Sequence, residues 1–322
     1  MHGPLLSESP ELFGAIGVKI AVLWLFALAS TAQGATPIER FLKRVGKHAV
    51  PLEELHPAVR AVGDIHALGS PKFWTVEEAD RELDGEERVL GLRIAGEVRA
   101  YPIRILNHHE VVNDRVGGKP VVITYCPLCL SGIAFERTVS SQTFVFDVSG
   151  LLYNSDLVLF DRATSTLWSQ ILGEAIVGPL TGTKLVRVPL RYSKWRDWKK
   201  AHPETRVLSF ESGGDRNYYR VPYKSYHATQ KLRFPVKHRD RRLPNKQVVF
   251  GISLNGKTKA YPLSALSDQG IRDYFNGVDV LVWQGKTGPI ARRLDNEKEI
   301  RGLVSYWFAW AAFNPGTELY GR

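Results

Sequence analysis

Sulfur is scarce in this chain of 322 residues, which has two cysteines, Cys126 and Cys129, and a single methionine, Met1. That excludes a disulfide-dense scaffold, and it excludes a thioether ligand site once an N-terminal segment is removed. Long apolar runs are also missing: the most apolar stretch, residues 20–29, falls well short of the ~20 residues that span a bilayer. There is no low-complexity tract, Ser-His-Asp arrangement, phosphate loop or dinucleotide fingerprint, and Leu130, not His, follows Cys129, so no c-type haem motif is present. Nucleotide, flavin and haem cofactors therefore have no signature here. No nucleic-acid-binding motif occurs either.

What is present is the composition of a globular protein, 44% apolar and 24% charged, with 11% aromatics that favour a packed, sheet-rich interior. Lys19, the apolar run 20–29 and the small residues Ser30-Thr31-Ala32 and Gly34-Ala35 stand in the order of a secretory signal. Residues 1–34 are thus expected to be a signal peptide cleaved near 32–35, leaving a soluble, exported, periplasmic chain with no transmembrane span. Glu8 and Glu11 sit where a positive flank is expected. The formal charge is +10, and residues 224–246 hold eight cations against the single acid Asp240. This stretch reads as a solvated connector with the capacity for weak contact with acidic surfaces.

The chain also contains an internal repeat. VLGLRIAGEVRAYPIRIL (89–106) aligns with VFGISLNGKTKAYPLSAL (249–266), each a pair of alternating strands around a Gly-centred turn, closed by Tyr-Pro. Both copies continue into a hydrophobic strand (121–125 and 280–283), and both end in a Trp-x-x-Trp pair followed by Pro-x-Thr. The expected fold is α+β, mainly antiparallel β with short helices, built from two diverged tandem copies of one module. The expected divisions are a lead-in at 35–88, copy one at 89–208, the basic connector at 209–248 and copy two at 249–322. Copy one alone carries the Cys pair and a long insert.

Chemistry concentrates at VVITYCPLCLSGIAFE (121–136). A buried strand delivers Cys126 to its end, and the following residues are expected to begin a helix whose dipole lowers the thiol pKa. Two thiols separated by two residues can share a soft metal ion or close a disulfide. A four-residue loop makes a purely structural disulfide worth only ~2 kcal/mol, against ~3 for fifteen residues. Just upstream, Asn107-His108-His109-Glu110 and Asn113 precede the Cys strand. Copy two has Ser267-Asp268-Gln269-Gly270 there and no cysteine, so histidine and thiols are absent together. The expected metal ligands are Cys126, Cys129 and His109. His108, Glu110, Asn113, Asp161 and Gln170 are candidates for the surroundings, the last two from the turn DRATSTLWSQ.

HEVVNDRVGGKPVVITYCPLC, SGIAFER, DRATSTLWSQ, WRDWKKAHPETRVL and WFAWAAFNPGTEL resemble a bacterial and archaeal family known only as domain of unknown function 3179, over roughly residues 56–320. The resemblance implies that His109, Glu110, Asn113, Cys126 and Cys129 belong to the family's pattern, and it implies no activity. Three readings stay open. The first is an exported protein that binds a soft metal, copper before zinc. The second is a thiol–disulfide oxidoreductase in which Cys126 attacks a partner protein and Cys129 resolves. The third is a scaffold with a structural disulfide.

Overall fold

The structure, a computed structural model of the chain, describes residues 46–59 and 64–321. The expected signal segment lies outside these residues. Strand accounts for 43% and helix for 14%, so the mainly antiparallel β class holds. The strands form five sheets of four or five strands plus one small hairpin, an arrangement that looks like a five-bladed β-propeller. Among the described residues no helix is long and apolar enough to cross a membrane.

The first sheet joins Leu55–Pro57 to Phe146–Tyr153, Asp156–Asp161, Leu167–Ser169 and Glu174–Val177. The second holds Val111–Val116, Lys119–Cys126 and Ser131–Glu136, with Arg187–Val188 at its edge. The third is centred on the hairpin Arg88–Ile94 and Glu97–Pro102, and the fourth on Val248–Leu254 and Lys257–Pro262. The fifth comprises Ile271–Phe275, Val278–Gly285, Gly288–Arg293 and Glu299–Ile300. Pairing within these sheets is antiparallel except where Arg206–Leu208 and Glu318–Leu319 lie parallel to the second strands of the two central hairpins.

Those two hairpins correspond closely. Val89 pairs with Pro102 and Ile94 with Glu97, as Val249 pairs with Pro262 and Leu254 with Lys257. Each first strand is flanked by the strand that runs into a Trp-bearing helix, Trp195–Ala201 or Trp307–Phe313. In each case an indole N–H bonds a threonine, Trp198 to Thr205 Oγ1 at 3.1 Å and Trp310 to Thr317 Oγ1 at 2.9 Å. The same indoles lie flat against glycines. A Cβ on Gly91 would come within 2.3 Å of the Trp198 ring, and one on Gly251 within 2.4 Å of Trp310.

Two sequence expectations fail here. The residues after the Cys pair form strand Ser131–Glu136, not a helix. A short apolar run fits either element. What decides is Leu130, which takes φ 57° and turns the chain back, so that Cys126 pairs with Ser131. Nor is 224–246 a solvated connector: Tyr226 and Lys246 are buried, and Leu232, Phe234 and Val236 pack on the main core.

Alanine at Gly91 or Gly251 is expected to cost about 1–3 kcal/mol in chemical denaturation, because a methyl group must displace a buried indole. Gly46→Ala, with nothing within 4 Å of the new Cβ, should stay within about 0.5 kcal/mol. Equal effects at the three positions would contradict this packing.

Candidate functional site

Two turns face each other where the first and second sheets meet. One is the 127–130 turn, which holds Cys129 and follows directly on Cys126. The other is Asn154-Ser155, whose φ values of 50° and 62° make the two-residue hairpin turn closed by Tyr153 and Asp156. The second turn directs both the Ser155 carbonyl and the Asp156 carboxyl at the sulfurs. Cys129 Sγ donates to Ser155 O at 3.3 Å, and Cys126 Sγ lies 3.9 Å from the same oxygen. One ligand atom from each of Cys126, Cys129 and Asp156 falls within 4.8 Å of the other two. Both cysteines are free thiols, so the disulfide that two of the alternative readings call for is not formed in this structure.

All three groups are buried, which governs their protonation. Burial pushes both thiols above their ordinary range, Cys129 furthest. It also raises Asp156 to about 7, against the backbone N–H of Ile171, which donates to Asp156 Oδ2 at 3.0 Å, and hydrogen bonds with both thiols. Without a helix after Cys126 there is no dipole to oppose burial, and the expected lowering of its pKa is reversed. The floor is fixed by polar groups: Ser131 Oγ donates to Gln170 Oε1 at 2.8 Å, and Gln170 Nε2 donates to Thr124 Oγ1 at 3.0 Å.

A cavity of about 190 Å³ opens beside Cys126. It is bordered by Glu110, Tyr223 and Arg233 and by apolar side chains including Ile65, Val148, Leu152, Leu157 and Phe234. Glu110 caps helix Ile103–His109 in the left-handed region at φ 58°, where glycine or asparagine is the usual choice. Its carboxyl is buried and raised to about 8, with only the Tyr223 hydroxyl, donating at 3.2 Å, opposing the desolvation as a hydrogen-bond partner. The 223–237 stretch covers the site as a strap. Tyr226 OH donates to Leu128 O at 3.0 Å, Ser155 Oγ to Phe234 O at 2.8 Å, and Lys237 N to Asn154 Oδ1 at 2.8 Å.

Residues 63–302 match the family model described as Protein of unknown function (DUF3179). The chain belongs to that family. No curated protein and no solved structure matches it.

In this DUF3179 chain the structure brings together only some of the residues expected at the site. Cys126, Cys129 and Glu110 are there, and Gln170 braces the floor. His109 is not grouped with the sulfurs: its Nδ1 bonds His66 O and its Nε2 bonds Tyr218 OH, both at 2.7 Å. Gly213 packs so closely on this pair that a Cβ there would lie 2.2 Å from His109 Nε2. His108 Nε2 is taken by Arg220 O at 3.0 Å. Asn113 joins the two sheets by pairing with both backbone groups of Phe146, at 2.8 Å each. Asp161 closes its own turn through Thr164 and the Trp168 indole. Sequence reasoning missed Asp156, Tyr223, Tyr226 and Arg233. The signal for Asp156 was a polar Asn-Ser-Asp break between two apolar strands, and for the strap the alternation in KLRFPVK.

The raised carboxyl groups give stability a pH dependence. The fold keeps Glu110 and Asp156 neutral, so their contribution is complete below the ordinary values of 4.5 and 3.8, erodes as pH rises, and is gone above about 8. The Tm of the metal-free chain should therefore fall between about pH 5 and 8, and Glu110→Gln should flatten much of that slope. Parallel slopes for the two proteins would contradict the burial of a neutral Glu110.

Proposed function

We propose that this protein binds a soft divalent metal ion through Cys126, Cys129 and Asp156. The observation that carries the reading is the convergence of two thiols and a carboxyl, all buried and drawn from two different sheets. Buried polar groups are costly unless they are partnered, and a bound ion takes the place of the three protons that burial otherwise retains. Replacement of the expected His109 by a carboxyl moves the preference from copper to zinc, because a hard oxygen beside two thiolates suits zinc better than Cu(I). Three protein ligands would leave one position open, the arrangement of a reactive zinc centre, and a cavity lies beside Cys126.

One observation favours thiol–disulfide exchange as a second reading. Cys126 borders the cavity, while Cys129 is sealed behind it. In that reaction the Cys126 thiolate attacks a partner disulfide and expels one partner thiol. Cys129 then displaces the other, leaving a Cys126–Cys129 disulfide and a reduced partner. An attacking thiol needs a lowered pKa, and both thiols here are raised. That counts against exchange unless a nearby cation lowers them, and a bound metal ion supplies such a cation itself.

The same reading places the protein outside the cytoplasm after loss of residues 1–34, supported by the signal-like order of its N-terminus. It takes residues 249–322 as a diverged copy of 89–208 that has lost the site and buttresses it. The matched hairpins and the two glycine–indole contacts support that descent.

Metal analysis of anaerobically purified full chain tests the centre. Wild type and His109→Ala should carry about one zinc each, and Cys126→Ser and Asp156→Ala should each lose at least about tenfold in zinc affinity. Equal zinc in all four proteins, or none in the wild type, would overturn the reading.

A further inference from the structure

We propose that the cavity beside Cys126 binds a small monocarboxylate with an apolar body, its carboxylate on Arg233 and its tail running inward toward the Cys126 thiol. This goes beyond the metal reading and does not depend on it, since the cavity and Arg233 are features of the polypeptide alone.

Size sets the first limit. An engineered cavity of about 150 Å³ holds benzene, whereas drug-sized ligands occupy roughly 300 Å³ or more. At about 190 Å³ this cavity suits a ligand of about eight non-hydrogen atoms, scaled from that benzene site.

The walls set the second limit. Val59, Ile65, Val148, Leu152, Leu157 and Phe234 are apolar, so the body of the ligand is hydrocarbon. Charge sets the third. Arg233 borders the cavity and is itself exposed, so it marks the mouth. Its guanidinium stands over the rings of Tyr226, at 5.2 Å, and Tyr223, at 5.9 Å, which holds the fork in place. Among the described residues no carboxylate pairs with it, whereas Lys237 of the same strap is taken by Glu54 at 2.8 Å. An arginine fork matches a carboxylate with two parallel hydrogen bonds. An amine would be repelled by Arg233, and among the described residues a doubly charged phosphate ester would meet one lining cation where it calls for two. Cys126 and Glu110, both buried, border the cavity away from its exposed arginine, so the end of the tail farthest from the carboxylate meets a thiol and a carboxyl.

Isothermal titration of the full chain with hexanoate, 1-hexanol and hexylamine tests this. Hexanoate should bind at least tenfold tighter than either hexanol or hexylamine. Arg233→Gln should bring hexanoate to the level of hexanol, and Arg233→Lys, which keeps the charge and loses the fork, should fall between. Ile65→Trp, at a half-buried wall position, should abolish binding of both, with a cooperative thermal transition showing that the fold is kept. Hexanoate binding no tighter than hexanol in the wild type, or unchanged in Arg233→Gln or Ile65→Trp, would overturn the proposal. Zinc measured on the same samples separates the two ideas: carboxylate binding without zinc sinks only the metal centre, and zinc without carboxylate binding sinks only this site.

Discussion

The Asp156 carboxyl is held out of water against two thiols, and the surrounding structure can be understood as the means of keeping it there. A buried carboxyl outside any ion pair resolves its desolvation by staying neutral or by sharing a cation, and the nearby Arg187 guanidinium feels the charge of Asp156. Here its partners are the backbone N–H groups of Ile171 and Leu157, the Ser131 hydroxyl at 3.4 Å and the two sulfurs; the sulfurs either hydrogen-bond a neutral acid or join it around an ion. The tight turns at 127–130 and 154–155 are what bring the three side chains into register, each with left-handed residues that no long helix or strand would tolerate. The strap from Tyr223 to Lys237 then seals the sulfurs from solvent and leaves the small cavity as the approach.

The scaffold explains how residues so far apart in sequence come to one place. Blade-like sheets that close with strands from distant parts of the chain put sheet ends side by side. The thiols end a strand of the second sheet, Asp156 begins a strand of the first, and the backbone N–H of Tyr306, from the fourth, donates to Cys129 O at 2.8 Å. The site is thus locked by three sheets at once. The glycine–indole contacts beneath the two central hairpins are the same solution used twice, since only a residue without a Cβ admits a tryptophan face at that distance.

Much of this was legible in the sequence, and what was not has identifiable physical causes. The hairpins at 89–102 and 249–262 could be read from period-two alternation and Gly-centred turns, because those signals are local. The Cys pair could be read for the same reason. The strand after Cys129 was misread because SGIAFE is buried on both faces, which removes the alternation that marks a half-exposed strand. His109 looked like a ligand from its nearness in sequence to the Cys strand, but the helix that carries it points the ring at Tyr218 and His66. Asp156 was invisible because its role depends on a contact between sheets. The basic strap was read by its charge alone, although Leu232, Phe234 and Val236 alternate with the cations and face inward. Glu110 breaks a local rule, a non-glycine residue in the left-handed region with a buried carboxyl, and such violations gather at working sites.

X-ray absorption at the zinc edge, on anaerobic full-length protein loaded with one equivalent of zinc, bears most directly on the central claim. Two sulfur neighbours at about 2.3 Å with the remaining shell made of oxygen at about 2.0–2.2 Å is the result expected of Cys126, Cys129 and Asp156. A shell with no sulfur, or one with an imidazole signature in place of the carboxylate, would contradict it.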